Sequence, residues 1–214
     1  MQIDSDGANN QVQAVNDITI ERSGSNTPAN ADTVINGVVT SSGAGSTVSI
    51  EANQDIFFGV DGDVSRTDGG ATGLIHVQSD VFDATSTGGV ITMADGAVIN
   101  GGGHEIEILA DGTLTIGEII TTDVVNAASI AANIADADAG AGNDISAAGL
   151  AISGETGVGS DADAIETTLG SLSGRANSGD FNISNTGNLT LDAVALTTFV
   201  QGLFGEMEVL SLIH

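Results

Sequence analysis

The residues of this 214-residue chain that could do chemistry are its carboxylates. Asp61-Gly62-Asp63 with Asp68, Asp136 with Asp138, and Asp161 with Asp163 place acids in pairs among glycines. Oxygen-rich loops of that kind suit Ca²⁺, a hard cation that takes several oxygen ligands in flexible geometry. The competing reading is that acidic turns only solvate the protein. With 29 acidic residues against three arginines and no lysine, solvation is the expectation. No catalytic residue, cofactor contact or metal ligand is assigned.

Other chemistries have weaker support. Residues 139–146, AGAGNDIS, match the calcium nonapeptide GGxGxDxUx at Gly142 and Asp144. The first glycine and the apolar position are missing, and the motif works only in tandem copies. Polysaccharide cleavage needs paired acids, which are abundant here, but sugar clefts commonly stack rings on Trp or Tyr, and the chain has neither. A lyase would need a basic group, and Arg22, Arg66 and Arg175 are scattered. His76, His104 and His214 lie far apart without partners at metal-ligand spacing, so surface or strand-edge positions are expected for them. Without cysteine there is no thiol nucleophile, and no GxSxG elbow is present. Gly101-Gly102-Gly103 lacks the lysine of a phosphate loop. Asn182-Ile-Ser184 and Asn188-Leu-Thr190 match the glycosylation sequon, but both fall on strands of a repeat.

That repeat is the main signal. In DFNISNTGNLTL, residues 180–191, Phe181 and Ile183 share one face, and Leu189 and Leu191 share it again after a polar corner. The same spacing holds for Val48, Ile50, Ile56 and Phe58, and for Ile106, Ile108, Leu114 and Ile116. Leu150, Ile152 and Val158 fill three of four slots, with Ser160 in the last. A strand–corner–strand unit cannot bury its apolar face alone, whereas stacked units can. Thr19, Thr92, Thr115 and Thr190 recur between inward pairs, and β-propensity accounts for them better than a flat threonine array does.

Elsewhere, QVQAV and DITI read as strands, followed by a loop with Gly24, Asn26 and Pro28. Asn36-Gly37 in VINGVV reads as a corner rather than a hairpin, and VINGGG at 98–103 repeats the idea. Residues 60–73 read as a polar loop or insertion, and the Ala-rich 123–148 stretch as strand. Leu196, Phe199, Val200, Leu203, Phe204, Met207 and Leu210 have helical spacing, so residues 195–214 are expected to be a cap or a truncated next coil behind a repeat region at 1–194.

Composition agrees with an ordered β protein. Glycine is 30 of 214 residues, and 41% of the chain is apolar, which opposes the disorder that a net charge of −26 would otherwise suggest. That charge repels nucleic acid and anionic membrane surfaces, and it favours a saline or calcium-containing, extracellular setting. Neither a basic region nor an apolar run follows Met1, so no signal peptide is read there. The chain opens in mid-repeat and ends abruptly at Leu212-Ile213-His214, so it is expected to be part of something longer.

GGVITMADGAVINGGGHEIEILADGTLTIGEI and DAIETTLGSLSGRANSGDFNISNTGNLTLDAV resemble repeats of the filamentous-haemagglutinin-like and related giant β-strand-repeat surface adhesins of Gram-negative bacteria. The resemblance covers about residues 88–194. It implies a right-handed parallel β-helix, export across the outer membrane and a role as stalk or adhesive surface, with no catalytic residues. Sequence and resemblance together lead to an all-β solenoid of roughly eight to ten coils, about 20–25 residues each. The expected function is that of a non-enzymatic cell-surface segment. Its partners would be host or environmental glycans or proteins and neighbouring repeats, with no nucleic acid and no membrane insertion. The alternatives are a carbohydrate-active β-helix enzyme and a calcium-stabilised module.

Overall fold

Alternation of apolar and polar residues gives each short segment one buried face, the signature of a strand. In Thr47–Ala52, Val48, Ile50 and Ala52 are buried while Thr47, Ser49 and Glu51 are not. The computed structural model describes residues 2–4, 11–22, 32–69, 72–80, 88–140 and 142–192, which form 21 strands and, among the described residues, no helix. The expected cap at 195–214, the loop at Gly24–Pro28 and His214 lie outside the described residues.

The strands follow in threes. The first coil is β1 (Gln2–Asp4), β2 (Gln11–Ala14) and β3 (Ile18–Arg22), and the second is β4 (Thr33–Asn36), β5 (Val38–Ser41) and β6 (Thr47–Ala52). The third is β7 (Ile56–Phe58), β8 (Val64–Arg66) and β9 (Leu74–Ser79), and the fourth is β10 (Ile91–Met93), β11 (Val98–Gly102) and β12 (Glu105–Ala110). The fifth is β13 (Leu114–Ile116), β14 (Glu118–Thr121) and β15 (Val124–Ser129). The sixth is β16 (Asn133–Asp136) and the long β17 (Ile145–Gly154), and the seventh is β18 (Gly157–Val158) and the long β19 (Ile165–Ala176). An eighth comprises Phe181, β20 (Ile183–Asn185) and β21 (Thr190–Leu191).

Each strand pairs in parallel with its counterpart one coil away, so the stack has three faces, A, B and C. Faces B and C share one sheet because β17 and β19 run through the bend between them. At that bend a Cβ on Gly170 would lie 3.0 Å from the Ala148 carbonyl oxygen, so glycine lets the backbones close up. This is a parallel β-solenoid.

One ladder on face C runs Ile18, Val48, Ile75, Ile106, Val125, Leu150, Leu172 and Leu191. Face A carries Ile56, Ile91, Leu114, Ile134, Val158 and Phe181, and face B carries Val12, Val39, Val64, Ile99, Ile119 and Ile145. All three meet in one continuous apolar core. Burying each aliphatic side chain contributes roughly 1.5–3 kcal/mol, which holds neighbouring coils together.

Three expectations change. Residues 60–73 are not wholly a loop: Val64 and Arg66 of β8 face inward in register with Val39 and Ser41, and only the two flanking corners are polar. The two VING segments turn different corners, the first leaving face A and the second leaving face B. Residues 180–191 are also out of phase with the other units. Phe181 joins face A, Ile183 face B and Leu191 face C, so the segment spans three faces where residues 48–58 span two. It forms the last described coil, and Leu191 there is 44% exposed. The threonines form no rank either. Thr92 and Thr115 are neighbours, but Thr19 pairs with Ser49 and Thr190 with Ser171.

Candidate functional site

Corners between parallel strands leave backbone N–H groups without ladder partners, and aspartates take several of them. Thr47 N–H donates to Asp17 Oδ1 (2.8 Å), Val90 N–H to Asp55 Oδ1 (2.9 Å) and Val98 N–H to Asp63 Oδ1 (3.1 Å). Gly88 N–H donates to Asp111 Oδ2 (2.8 Å), and Glu166 N–H to Asp144 Oδ2 (2.7 Å). Each contact joins different coils. These acids therefore cap strand ends, a more specific role than solvating turns.

Stacking also gathers the acid pairs of the sequence onto one edge. Asp61, Asp63, Asp136, Asp138, Asp161 and Asp163 all occupy the corner between faces A and B, in coils three, six and seven. Asp95 and Glu118 fall on the same corner in coils four and five. Asp68 does not, because it lies between faces B and C.

At coil six the corner lengthens to the segment between β16 and β17 and overhangs a cavity of about 190 Å³. Asp95, Glu118, Asp136, Asp138, Asn143 and Asp144 contribute to its lining. Asp136 follows Ile116 in register, so a carboxylate occupies a slot that is apolar one coil earlier. Asp144 immediately precedes Ile145, which pairs with Ile119 on one side and Thr167 on the other. Ile119 N–H donates to Asp144 O (2.7 Å), and Asp144 N–H to Glu166 O (2.9 Å). Glu118, Asp144 and Glu166 are thereby held in one column on successive strands, where like charges repel.

Carboxylate oxygens of Asp136, Asp144 and Glu166 come within 4.8 Å of one another. Burial pushes the Asp144 carboxyl up to about 8, the nearby Asp136 and Glu166 charges add to the rise, and the Glu166 N–H opposes it. Asp136 is raised as well, first by burial and then by the charges of Asp138 and Asp163, while the Asp138 N–H pulls it back. Such a trio can share a proton or hold a cation. An acid beside an ionised carboxylate is also the make-up of a glycosidase pair. One oxygen of each of two half-buried acids, Asp136 Oδ2 and Glu166 Oε2, is sealed from solvent and has no hydrogen-bond partner. Sequence reading named Asp136 and found Asp144 only within an imperfect motif. Glu166 was missed, because nothing in IETTLGSLS marks one strand acid among many.

Two further polar clusters correct the expectation of surface histidines. His104 is 1% exposed, and its Nε2 lies 3.2 Å from Asp68 Oδ1, to which Arg66 Nη2 donates at 2.6 Å. Arg66 Nη2 also donates to the Gly43 carbonyl (3.1 Å). His76 Nδ1 lies 2.7 Å from Glu107 Oε2, and Asn126 Nδ2 donates to Glu107 Oε1 (3.4 Å) along one register column. Both clusters tie neighbouring coils together. Of the predicted sequon residues, Asn188 is exposed, and Asn182 is half-buried with its backbone bonded to Val158 and Ile165.

No protein-family model, curated protein or solved structure matches this chain. Among the described residues no helix is long and apolar enough to cross a membrane.

Proposed function

We propose that this chain is a non-catalytic stalk or adhesin segment of a large secreted or cell-surface bacterial repeat protein, as its resemblance to filamentous-haemagglutinin-like repeats implies. The observation that carries this reading is the unbroken ladder from Ile18 to Leu191, which joins eight coils through one core. At about 4.8 Å per coil this is a rod section roughly 34 Å long, and stacking neighbouring repeats on it lengthens the rod without a new fold. Its coils are right-handed, since parallel crossovers adopt that hand almost without exception. Glycans or proteins of a host or environmental surface would meet the outward side chains. An enzymatic role has less support, because the chain has no Trp or Tyr on which sugar rings could stack and only three arginines.

The test has two arms. Proteinase K applied to intact source cells should remove the segment from the outside, and the purified protein should release no new reducing ends from a panel of acidic and neutral polysaccharides. Retention of the segment on protease-treated cells, or steady release of sugar ends, would sink the reading.

A further inference from the structure

Acidity does not by itself argue for a bound ion in a chain of charge −26. The cluster between coils six and seven has a second property. Asp136 Oδ2 and Glu166 Oε2 are both sealed from water and have no hydrogen-bond partner, and Asp144 beside them is only 4% exposed. A buried carboxylate oxygen with neither water nor a donor is costly, and the Asp144 carboxylate beside these two adds like charge even though its Oδ2 accepts the Glu166 N–H. None of the described arginines is placed to offset it: Arg22 ends β3 in the first coil, Arg66 is committed to Asp68, and Arg175 Nε donates to Ser153.

We propose that Asp136, Asp144 and Glu166 form a divalent-cation site of the calcium class that clamps coil six to coil seven. The spacing fits. Oxygens that each sit about 2.3–2.6 Å from a shared Ca²⁺ can lie up to roughly 5 Å apart, and these lie within 4.8 Å. The ligands also come from separate elements: Asp136 ends β16, Asp144 immediately precedes β17, and Glu166 belongs to β19. An ion there would close the long corner of coil six against the next coil and convert a repulsive column into an attractive one. Asp138 and Asn143 line the adjoining cavity, from which water can complete the shell. Mg²⁺ fits less well, because it holds its own waters and demands shorter, near-octahedral contacts.

Calcium alone is the probe, titrated calorimetrically into chelator-treated protein, with circular-dichroism melts at 0 and 10 mM. One ion should bind per chain in the range of about 10⁻⁴–10⁻³ M typical of extracellular modules, and the midpoint should rise by roughly 3–10 °C. Asp144→Asn and Glu166→Gln should each weaken binding at least tenfold, whereas Asp61→Asn, on the same corner three coils away, should not change it. If one variant fails to fold in chelator, the other decides. Absence of binding at 10 mM overturns the proposal. So does an equal loss with Asp61→Asn, or an equal midpoint shift with Mg²⁺, since both would indicate charge screening.

Discussion

Asp144→Asn tests whether one carboxyl governs how the stability of the metal-free protein depends on pH. Asparagine keeps the shape and the oxygen that accepts the Glu166 N–H but cannot ionise. In the folded wild type, burial and the neighbouring carboxylates push Asp144 from its ordinary 3.8 up to about 8. The folded state then binds more protons than the unfolded chain, so the contribution is fully present below about 3.8 and is lost as pH rises through about 8. Between pH 5 and 7 the folded group holds its proton and the unfolded one does not. Wild type should therefore lose about 1.4 kcal/mol of stability per pH unit relative to Asp144→Asn, close to 3 kcal/mol over the interval. For a chain of this size that difference corresponds to roughly 5–10 °C in midpoint. Urea denaturation of both proteins in chelator at half-unit steps of pH measures it directly. Because Asp136 sits beside Asp144 and responds to its charge, the difference reports the proton held by the cluster as a unit. Parallel stability curves from pH 5 to 7 would refute the assignment of the proton to this site.

Three further outcomes follow from the packing. Asp68→Ala removes the carboxylate partner of the buried Arg66 guanidinium, whose Nη2 keeps its bond to Gly43 O, and should cost about 3–5 kcal/mol in urea denaturation, while a loss below about 1 kcal/mol would mean the cluster is dispensable. Asp63→Ala strips the Val98 N–H of its acceptor and should cost about 1 kcal/mol, with faster exchange of that amide by NMR; unchanged protection would return Asp63 to a solvating role. A Cβ at Gly174 would lie 2.6 Å from Phe181 Cζ and 2.8 Å from Ile152 Cγ2, so Gly174→Val should expel the Phe181 ring and detach the eighth coil. Limited proteolysis after residue 176 reports that detachment, and a wild-type digestion pattern would contradict it.

Much of this architecture can be read from the chain because the side-chain alternation of a strand does not depend on what it packs against. Val48 and Ile50, or Ile106 and Ile108, each bury one face of one strand, and the turn that follows is short and polar. All-β character, repeated strand–corner units and an acidic surface follow from such local patterns. The third face was harder to see. Segments such as Val64–Arg66 are three residues long with a charged member, and equivalent ladder residues are as few as 18 apart (Ile165 to Ile183) and as many as 35 (Ile56 to Ile91). A pattern with one spacing, as at 181–191, can therefore enter the stack in another phase. Charge is where tertiary structure decides most. Glu166 is an ordinary strand acid in sequence, and Asp144 part of a broken motif. Only the register that lays β19 against β17, and the long corner that returns Asp136 beside them, brings their oxygens together away from water. Arg66, Asp68 and His104 meet for the same reason: inter-coil pairing sets residues from separate turns of the chain at the distance of a hydrogen bond.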